Sequence, residues 1–405
     1  MKIKNVIIVN DSNFISGGED KVAIQSANMI VNSYNDINVY FFSNNNICNS
    51  SLDKKVISVR NDMKIPLEDS HKIYGAIRGI YNNKNKKFLL KFLRKFNSND
   101  TVIHVHSWTK SITSCIFDVA DKFKIPLVLT LHDYFTVCPN GGFYNYKQEK
   151  ICNLRPCSIK CAISNCDSRN YGFKVYRILR QYFYNKSVKK IKYAISISKF
   201  SEDILKKYLN KNCQIKRIYN PIDFDINARR SNPEKSDFFL YVGRVSKEKG
   251  VEIFCDAITR ANAKGIVVGD GNYKEELEKK FDNIIFEGWK NSNDVKKIMK
   301  NARCLIVPSK WYEGAPLTPL EAMQYGIPCI SSANNATVDY LKNDVGMIYK
   351  NEKELINLIK KCGDDTIIEN YSKKSFNYIE NQWKKQNYAN ELMELYCNIL
   401  NESKK

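Results

Sequence analysis

Short runs of β-branched residues alternate with helix-length polar stretches along this chain, and the alternation occurs twice. The first series of predicted strands comprises Val6–Val9, Ile37–Phe42, Val56–Val59, Val102–Val105 and Leu127–Leu131. The second series follows Asn220-Pro221 and comprises Phe238–Val242, Gly265–Val268, Asn283–Phe286, Cys304–Val307 and Ile327–Ser331. Strands that alternate with helices form parallel sheets. The sequence therefore predicts an α/β protein with two Rossmann-like domains, whose sheets face a central cleft that binds ligands.

The length of 405 residues also fits two domains with separate cores. We expect an N-terminal domain over residues 1–215, which includes a cysteine-rich loop at 138–166. A C-terminal domain is expected over residues 216–370. The last segment, residues 371–405, has helical patterning and is predicted to pack back on the N-terminal domain.

The net charge of +21 is unevenly distributed, because residues 1–205 contain 31 lysines and arginines against 16 acidic residues. A field of this sign attracts phosphate groups. The stretches 71–96 and 170–192 are basic, contain no acidic residue and place apolar residues at roughly helical intervals. They are typical of helices that lie on an anionic bilayer surface. The alternative is an ordinary helix with one core face and one solvated basic face.

The sequence contains no run of about 18 apolar residues that could span a bilayer. The apolar run near Met1 is also shorter than the core of a signal peptide. We therefore expect a cytoplasmic protein, peripherally associated with the inner face of the membrane, whose cysteines are mostly reduced.

Two cations follow the first strand of the second series. That strand continues into Gly243 and Arg244, and Lys249 stands just before a predicted helix. Cations beside a helix start suit a diphosphate whose negative charge grows as it leaves; the alternative is a solvated basic loop. The next strand ends in Gly269 and Gly271, which allow close backbone approach to a ligand or simply form a turn.

The stretch from Pro308 to Pro328 contains two glutamates, Glu313 and Glu321, separated by seven residues. Between them we expect a helix to start at Gly314, Ala315 and Pro316, followed by Leu317, so that free amides face phosphate or sugar oxygens. The glutamates would accept hydrogen bonds from sugar or ribose hydroxyls. The alternative is a helix with surface acids.

The first series of strands also ends in candidate site residues. Gly17 and Gly18 follow the first strand and precede a predicted helix, an arrangement that favours an anion or a sugar, or a tight turn. His132 and Asp133 end the fifth strand, and His106 ends the strand before it. The alternative for His132 is a hydrogen-bonded core histidine.

Taken in order, these motifs resemble the family 4 retaining glycosyltransferases of the GT-B fold, and among them those that build surface polysaccharide or lipopolysaccharide. The resemblance rests on Gly17-Gly18, Leu131-His-Asp133, Ser196-Ile-Ser198, Asn220-Pro-Ile-Asp223, Gly243-Arg244 with Lys249-Gly250, Gly269-Asp-Gly271, and the glutamate pair. The loop Ser332–Tyr340 departs from the family pattern, so no donor contact is assigned to it.

The resemblance implies a role for each matching residue. Arg244 and Lys249 are expected to contact the donor diphosphate, Glu313 the donor sugar and Glu321 the ribose. His132 is expected at the reaction centre on the acceptor side. The implied substrates are a nucleoside diphosphate sugar and a glycan or lipid-linked acceptor, with no cofactor required and no nucleic acid bound. The alternatives are a sugar-nucleotide epimerase of the same fold and a non-catalytic module that binds anionic surfaces.

Four cysteines of the long loop after His132 are spaced by four, three and four residues: Cys152, Cys157, Cys161 and Cys166. Four thiolates can hold a structural zinc ion and so fix a long loop. The spacing lacks the common knuckle of two cysteines separated by two residues. Buried free thiols and a redox-sensitive pair are the alternatives.

Overall fold

The structure is a computed structural model that describes residues 2–44, 51–61, 72–225, 227–342, 344–383 and 387–403. Its strands are β1 (Asn5–Val9), β2 (Asn38–Ser43), β3 (Ile57–Arg60), β4 (Thr101–Val105), β5 (Leu127–Leu131), β6 (Tyr144–Asn145), β7 (Lys150–Ile151), β8 (Tyr193–Ser196), β9 (Gln214–Arg217), β10 (Phe238–Val242), β11 (Lys264–Val268), β12 (Ile284–Gly288), β13 (Cys304–Val307), β14 (Cys329–Ser332) and β15 (Met347–Tyr349). Its α-helices are α1 (Gly18–Ser33), α2 (Lys72–Ile80), α3 (Asn83–Leu93), α4 (Cys115–Lys122), α5 (Ile159–Ile163), α6 (Tyr171–Val188), α7 (Lys199–Leu205), α8 (Val251–Arg260), α9 (Lys274–Lys280), α10 (Ser292–Lys300), α11 (Thr318–Met323), α12 (Glu352–Lys361), α13 (Asp365–Tyr378) and α14 (Tyr388–Glu402).

The chain divides into two compact units. Unit 1 comprises Met1–Phe143, Asn153–Pro221 and Asn387–Lys405, and unit 2 comprises Tyr144–Cys152 and Ile222–Gln386. The short segment Tyr144–Cys152 therefore groups with unit 2, although the sequence on both sides of it belongs to unit 1. This segment contains the antiparallel pair β6–β7, which the strand pattern did not predict.

Each unit is built on one parallel sheet. The order in unit 1 is β3-β2-β1-β4-β5-β8-β9, and the order in unit 2 is β12-β11-β10-β13-β14-β15. Every pairing described within these two sheets is parallel, which confirms the predicted α/β class. The edge strands β9 and β15 have only four and three residues, too few for a clear alternation of apolar and polar side chains.

The core of unit 1 lies between the sheet and the helices α1 and α14. Val6 and Ile8 of β1 pack in one cluster with Leu392 and Tyr396 of α14. The hydroxyls of Ser26 and Tyr388 also lie 2.9 Å apart and join α1 to α14. The sequence predicts helix throughout the last segment. The structure instead interrupts the α-helix after α13 with a π-helical turn at Ile379–Trp383.

The core of unit 2 lies between its sheet and the helices α8 and α12, where Phe254 and Leu355 are fully buried. The helix predicted to start at Gly314–Pro316 begins later, at Thr318, with Leu317 as its N-cap. A proline in the first turn fixes this start, because Pro319 has no amide hydrogen to lose. Nowhere in the described parts of the chain does a helix combine the length and the hydropathy that crossing a bilayer requires.

Candidate donor and acceptor sites

Three neighbouring strands of unit 2 end in the predicted site residues. In the order β11-β10-β13, β11 continues into Gly269, β10 into Gly243 and Arg244, and β13 into the loop that leads to Glu313. Because the carboxyl ends of parallel strands share one edge of the sheet, these loops converge there.

The carboxylate of Glu313 is the centre of this edge. One of its oxygens accepts hydrogen bonds from the Lys249 ammonium at 2.6 Å, the Ser309 hydroxyl at 2.7 Å and the Trp311 indole N–H at 3.2 Å. Burial opposes ionisation of Glu313, but Lys249 and these two donors hold the pKa of the carboxyl below its usual value. The side chain is 8% exposed, so this edge holds an ion pair that is largely withdrawn from water.

The second predicted cation, Arg244, lies more in solvent. Its guanidinium donates to the carboxylate of Glu248 at 2.7 Å, and Glu248 is itself buried. Lys247–Lys249 form a single 3₁₀ turn before Gly250, and α8 starts at the next residue. The sequence missed Glu248 as a partner because a glutamate between two lysines in a loop gives no sign of being buried.

The glycines of these loops have a steric role that is visible in the structure. A Cβ at Gly269 would lie 1.9 Å from the carbonyl oxygen of Gly243, and one at Gly271 would lie 2.2 Å from that of Val245. Hydrogen bonds from Gly243 N to Val268 O and from Val245 N to Asp270 O join the same two loops. The glycines therefore allow the β10 and β11 loops to pack together, and their contact with a donor stays a prediction.

The loop that departs from the family pattern lies directly against Glu313. Ala336 N donates to the carbonyl oxygen of Glu313 at 3.0 Å, and Asn335 is fully buried and donates to Ser331 at 2.8 Å. Glu321 lies in the first turn of α11 and is half-buried. The structure thus assigns a positioning role to a loop for which the sequence offered none.

Glu149 is a further acidic residue of unit 2 that no local pattern indicated. It lies between β6 and β7, and its two carboxylate oxygens contact Lys247 at 3.3 Å and Lys310 at 2.9 Å. The two lysines hold the pKa of Glu149 below its usual value, Lys310 having the larger effect. Lys310 is 161 positions away from Glu149 in sequence, so only the folded chain reveals the contact.

In unit 1 the corresponding edge is formed by the loops after β1, β4 and β5, which are neighbours in the sheet. Gly17 is the N-cap of α1, its backbone is extended, and a Cβ there would meet no atom within 4 Å. Gly18 is the first residue of α1. The sequence did not single out Asp11, which accepts hydrogen bonds from the backbone of Lys110, Ser111 and Ile112 and so fixes the β4 loop.

The structure brings together the two predicted histidines of unit 1. His106 Nδ1 and His132 Nε2 lie 2.9 Å apart, so one imidazole donates to the other. His104 stacks on His106 with ring centroids 4.1 Å apart, and its own nitrogens contact Tyr396 and Thr130 at 2.6 Å. His106 Nε2 is buried and has no hydrogen-bond partner among the described residues.

Burial keeps the two histidines uncharged near neutral pH. It lowers the pKa of His132 to about 3 and that of His106 well below its usual value. Burial and the nearby Glu19 carboxylate raise the pKa of Asp133 to about 7. Asp133 accepts a hydrogen bond from Phe135 N at 2.8 Å, which fixes its carboxyl in the loop after β5.

The structure gives no support for zinc at the four cysteines and favours the alternative of free thiols. Within the described ranges, no group of three or more histidine, cysteine or acidic side chains is arranged to hold a metal ion. Cys161 and Cys166 are buried against the ammonium of Lys174, which lies 3.5 and 3.1 Å from their sulfur atoms. A positive charge there opposes a divalent cation. Cys157 is exposed, and Cys152 groups with unit 2 rather than with the other three.

Comparison with known proteins gives the same fold and two adjoining family matches. The family described as glycosyltransferase family 4 matches residues 70–226, and the family described as glycosyl transferases group 1 matches residues 223–382. Sucrose-phosphate synthase from Thermosynechococcus elongatus has a similar structure, with a TM-score of 0.73 over 98% of this chain and all of that chain, at 15% identity. The fold is therefore that of the GT-B glycosyltransferases.

Two curated relatives carry more specific names. The lipopolysaccharide 1,6-galactosyltransferase of Salmonella typhimurium is 35% identical over 28% of this chain and 35% of its own length. The UDP-Gal:alpha-D-GlcNAc-diphosphoundecaprenol alpha-1,3-galactosyltransferase of Escherichia coli is 28% identical over 40% of this chain and 46% of its own length. The chain thus spans about a third to a half of the length of these relatives. The two family matches together span residues 70–382, so the chain belongs to the glycosyltransferases that these two families describe.

Proposed function

We propose that this protein transfers a hexose-type residue from a nucleoside diphosphate sugar to a hydroxyl of a glycan or lipid-linked acceptor, with retention at the anomeric carbon. The names of two relatives support a role in cell-surface polysaccharide synthesis: one is a lipopolysaccharide galactosyltransferase, and the other acts on a diphosphoundecaprenol-linked sugar. Lipid-linked acceptors lie in the membrane, so we propose that this protein is cytoplasmic and acts at the inner face of the membrane.

The observation that carries this proposal is the buried contact between Lys249 and Glu313 at the carboxyl edge of the unit 2 sheet. Arg244 lies on the same loop as Lys249, and the two cations provide the charge that a departing diphosphate needs. Glu313 positions Lys249 and can also bind a hydroxyl of the donor sugar. One of its carboxylate oxygens accepts the three hydrogen bonds that the structure describes, and the other oxygen is left for the donor.

In the proposed reaction the bond between the anomeric carbon and the diphosphate oxygen breaks, and a bond from the acceptor oxygen to the same carbon forms. The acceptor proton passes to the departing phosphate oxygen on the same face, as the family resemblance implies. His132, held neutral and fixed by His106, orients the acceptor side by hydrogen bonding. The protein contributes position and charge rather than a covalent intermediate.

The first experiment is a thermal-shift screen of the purified protein with UDP, GDP, ADP and CMP and their sugar conjugates. A ligand that binds only the folded state raises the midpoint of unfolding, so one nucleotide class is expected to stand out. If none of them shifts the midpoint of the folded protein, the donor assignment is wrong.

Transfer is then measured with the identified donor in wild type, Lys249→Ala and Lys264→Ala. Lys264 is a matched control, because it is an exposed lysine of unit 2 that also pairs with an acid, Asp237. We expect Lys249→Ala to lower turnover by about 10²- to 10³-fold and Lys264→Ala to leave it unchanged. An isomeric nucleotide sugar formed from the donor without any acceptor would instead indicate epimerisation. NMR of the transfer product reports whether the anomeric configuration is retained.

A further inference from the structure

Helix α6 of unit 1 exposes several apolar side chains and buries several polar ones. Its exposed residues include Val175, Leu179 and Tyr182, which recur every three or four positions and so share one face. Its buried residues include Lys174 and Gln181. A helix on the surface of a soluble protein normally shows the opposite arrangement, with its apolar stripe against the core.

Two inward polar groups of α6 contact the loops that the helix covers. Lys174, 1% exposed, lies against the two cysteine sulfur atoms described above, and Gln181 donates to the carbonyl oxygen of Thr136 at 3.2 Å. Thr136 follows His132 by four positions, so α6 braces the loop on the acceptor side. Lys174 and Gln181 thus hold α6 against these loops, and the apolar residues Val175, Leu179 and Tyr182 are left toward solvent.

Two neighbouring helices expose apolar side chains in the same way. On α2, Ile73 and Ile77 are exposed while Arg78 is buried. On α5, Ile159 is 83% exposed and Ile163 is 69% exposed. Both helices pack on α6: Tyr176 donates to Ala76 O of α2, and Tyr171 donates to Ala162 O just before the end of α5.

These three helices carry most of the exposed apolar surface of the described chain. Of the fifteen large apolar side chains that the described residues expose, ten lie on α2, α5 and α6, which are only 9, 5 and 18 residues long. A concentration of this kind marks a binding surface rather than scattered exposure.

The charge of the exposed faces of α2, α5 and α6 favours an anionic partner. None of the three helices contains an aspartate or glutamate, while Lys160 and Lys186 are exposed. The ammonium of Lys186 lies 4.9 Å from the centre of the Tyr182 ring. Aromatic and aliphatic side chains bordered by cations suit the boundary between anionic headgroups and acyl chains. A second copy of this chain fits poorly, because a symmetric contact would bring the same cations together.

We propose that the exposed faces of α2, α5 and α6 form a docking surface for an anionic lipid bilayer, into which Ile73, Ile77, Ile159, Ile163, Leu179 and Tyr182 insert. The inference deepens the proposed function, since it places the acceptor side of unit 1 at the membrane where a lipid-linked acceptor is found. It follows the bilayer-surface interpretation of residues 71–96 and 170–192 rather than the alternative of a solvated basic face, because the exposed surface is apolar with basic borders.

The test is co-sedimentation of the full-length protein with vesicles of phosphatidylcholine alone or mixed with phosphatidylglycerol, in the absence of any donor. Wild type is expected to bind the anionic vesicles. The double variant Leu179→Ser/Tyr182→Ser should bind at least about tenfold more weakly. Ile285→Ser is the matched control: Ile285 is 56% exposed and Leu179 is 52% exposed, but Ile285 lies in unit 2. The control should bind like wild type.

Lys186→Gln separates the charge from the apolar contribution. It is expected to weaken binding to anionic vesicles about fivefold and to leave binding to neutral vesicles unchanged. The substituted side chains are exposed, so the thermal midpoint of each variant should equal that of wild type, which shows that the fold is intact.

Three results would overturn the docking surface. The first is that wild type does not bind anionic vesicles. The second is that Ile285→Ser loses as much vesicle binding as the double variant. The third is a wild-type dimer, seen by sedimentation equilibrium, that Leu179→Ser/Tyr182→Ser converts to monomer, because the surface then belongs to a second copy. The nucleotide thermal shift is measured without vesicles, so loss of vesicle binding with a normal nucleotide shift rejects this surface and leaves the proposed donor site standing.

Discussion

The carboxyl edges of the two sheets have similar topology but opposite electrostatics. In unit 1 the two histidines at that edge are uncharged near neutral pH, because burial lowers the pKa of His132 to about 3 and that of His106 well below its usual value. In unit 2 the groups are charged, because Lys249 and two neutral donors keep Glu313 ionised. The difference shows that a shared topology fixes where a site lies, while the neighbouring side chains decide its charge.

This contrast matches the proposed division of work. A nucleoside diphosphate is strongly anionic, and unit 2 offers cations at the ends of its central strands. An acceptor hydroxyl is neutral, and unit 1 offers imidazoles that donate and accept without carrying charge. Substitutions in unit 2 and in unit 1 test the two sides of this contrast.

The largest effect is expected for Glu313→Gln in unit 2. The amide preserves the shape but removes the negative charge, so turnover should fall about 10²- to 10³-fold. Affinity for the nucleoside diphosphate should not fall, since Lys249 is then released from its ion pair. Steady-state kinetics and calorimetric titration with the nucleotide measure the two quantities separately.

Glu252→Gln is the control for this change. Glu252 also accepts hydrogen bonds from a lysine and a ring hydroxyl of unit 2, Lys280 and Tyr273. Its substitution should leave turnover near that of wild type. Equal losses in the two variants would mean that unit 2 needs its ion pairs for folding and that Glu313 has no special place at the donor site.

The next effect is a difference between two glycines. Gly269 has a φ of +138°, and a Cβ there would lie 1.9 Å from the backbone of Gly243. Gly269→Ala should therefore lower the free energy of unfolding of unit 2 by about 3 kcal/mol. Calorimetric unfolding of wild type and variant measures this change.

Gly17→Ala is the corresponding change in unit 1, where the added methyl group meets no atom within 4 Å. Its thermal midpoint should equal that of wild type. A lower donor affinity in this variant with an unchanged midpoint would support the predicted ligand contact at Gly17. A loss of stability as large as that of Gly269→Ala would contradict the steric contrast between the units.

A smaller effect is expected for His106→Gln in unit 1. Loss of the imidazole that contacts His132 Nε2 should lower turnover about tenfold, with little change in affinity for the donor nucleotide. His104→Gln is the comparison, because His104 contacts Tyr396 and Thr130 inside the core and should lower stability without changing the pH profile of turnover. If the two variants behave alike, the histidine pair is only a packing element.

The smallest effect is the pH dependence of stability. Histidines held neutral in the folded state bind protons only after unfolding, so their contribution to stability is present above about pH 6.5 and is lost as pH falls toward 3. Asp133 acts in the opposite sense: its raised pKa gives a contribution that is present below about pH 4 and is lost as pH rises through 7. His104, His106 and His132 outweigh the single carboxyl, so unit 1 should be less stable at pH 5.5 than at pH 7.

The expected difference is roughly 1 kcal/mol, visible as a lower thermal midpoint of unit 1 in scanning calorimetry. Unit 2 contains no histidine, since all four histidines of the chain precede Asp133. Its midpoint should therefore change less over the same interval. His104→Gln should reduce the shift of unit 1, and an unchanged shift would show that other groups cause it.

Much of the fold could be predicted from the sequence, because strands and helices are local patterns. All ten predicted strands overlap strands of the two sheets, and Arg244, Glu313 and His132 stand after strands as expected. The start of α11 was placed a few residues too early, since Gly314–Pro316 suit a helix start as well as Thr318-Pro319 does. The cysteine spacing left zinc and free thiols both open, because spacing alone cannot show that the Lys174 ammonium lies against two of the sulfur atoms.

The sequence by itself determined the α/β class, the division into two sheets and the strand ends at which the candidate site residues lie. Only the tertiary structure decided their partners: Lys249 with Glu313, His106 with His132, and Glu149 with two lysines of unit 2. It also decided that α6 buries Lys174 and Gln181 while Leu179 and Tyr182 are exposed. The physical reason is that periodicity reports the local backbone, whereas charge, pKa and burial depend on neighbours that the chain brings together from 26 to 161 positions away.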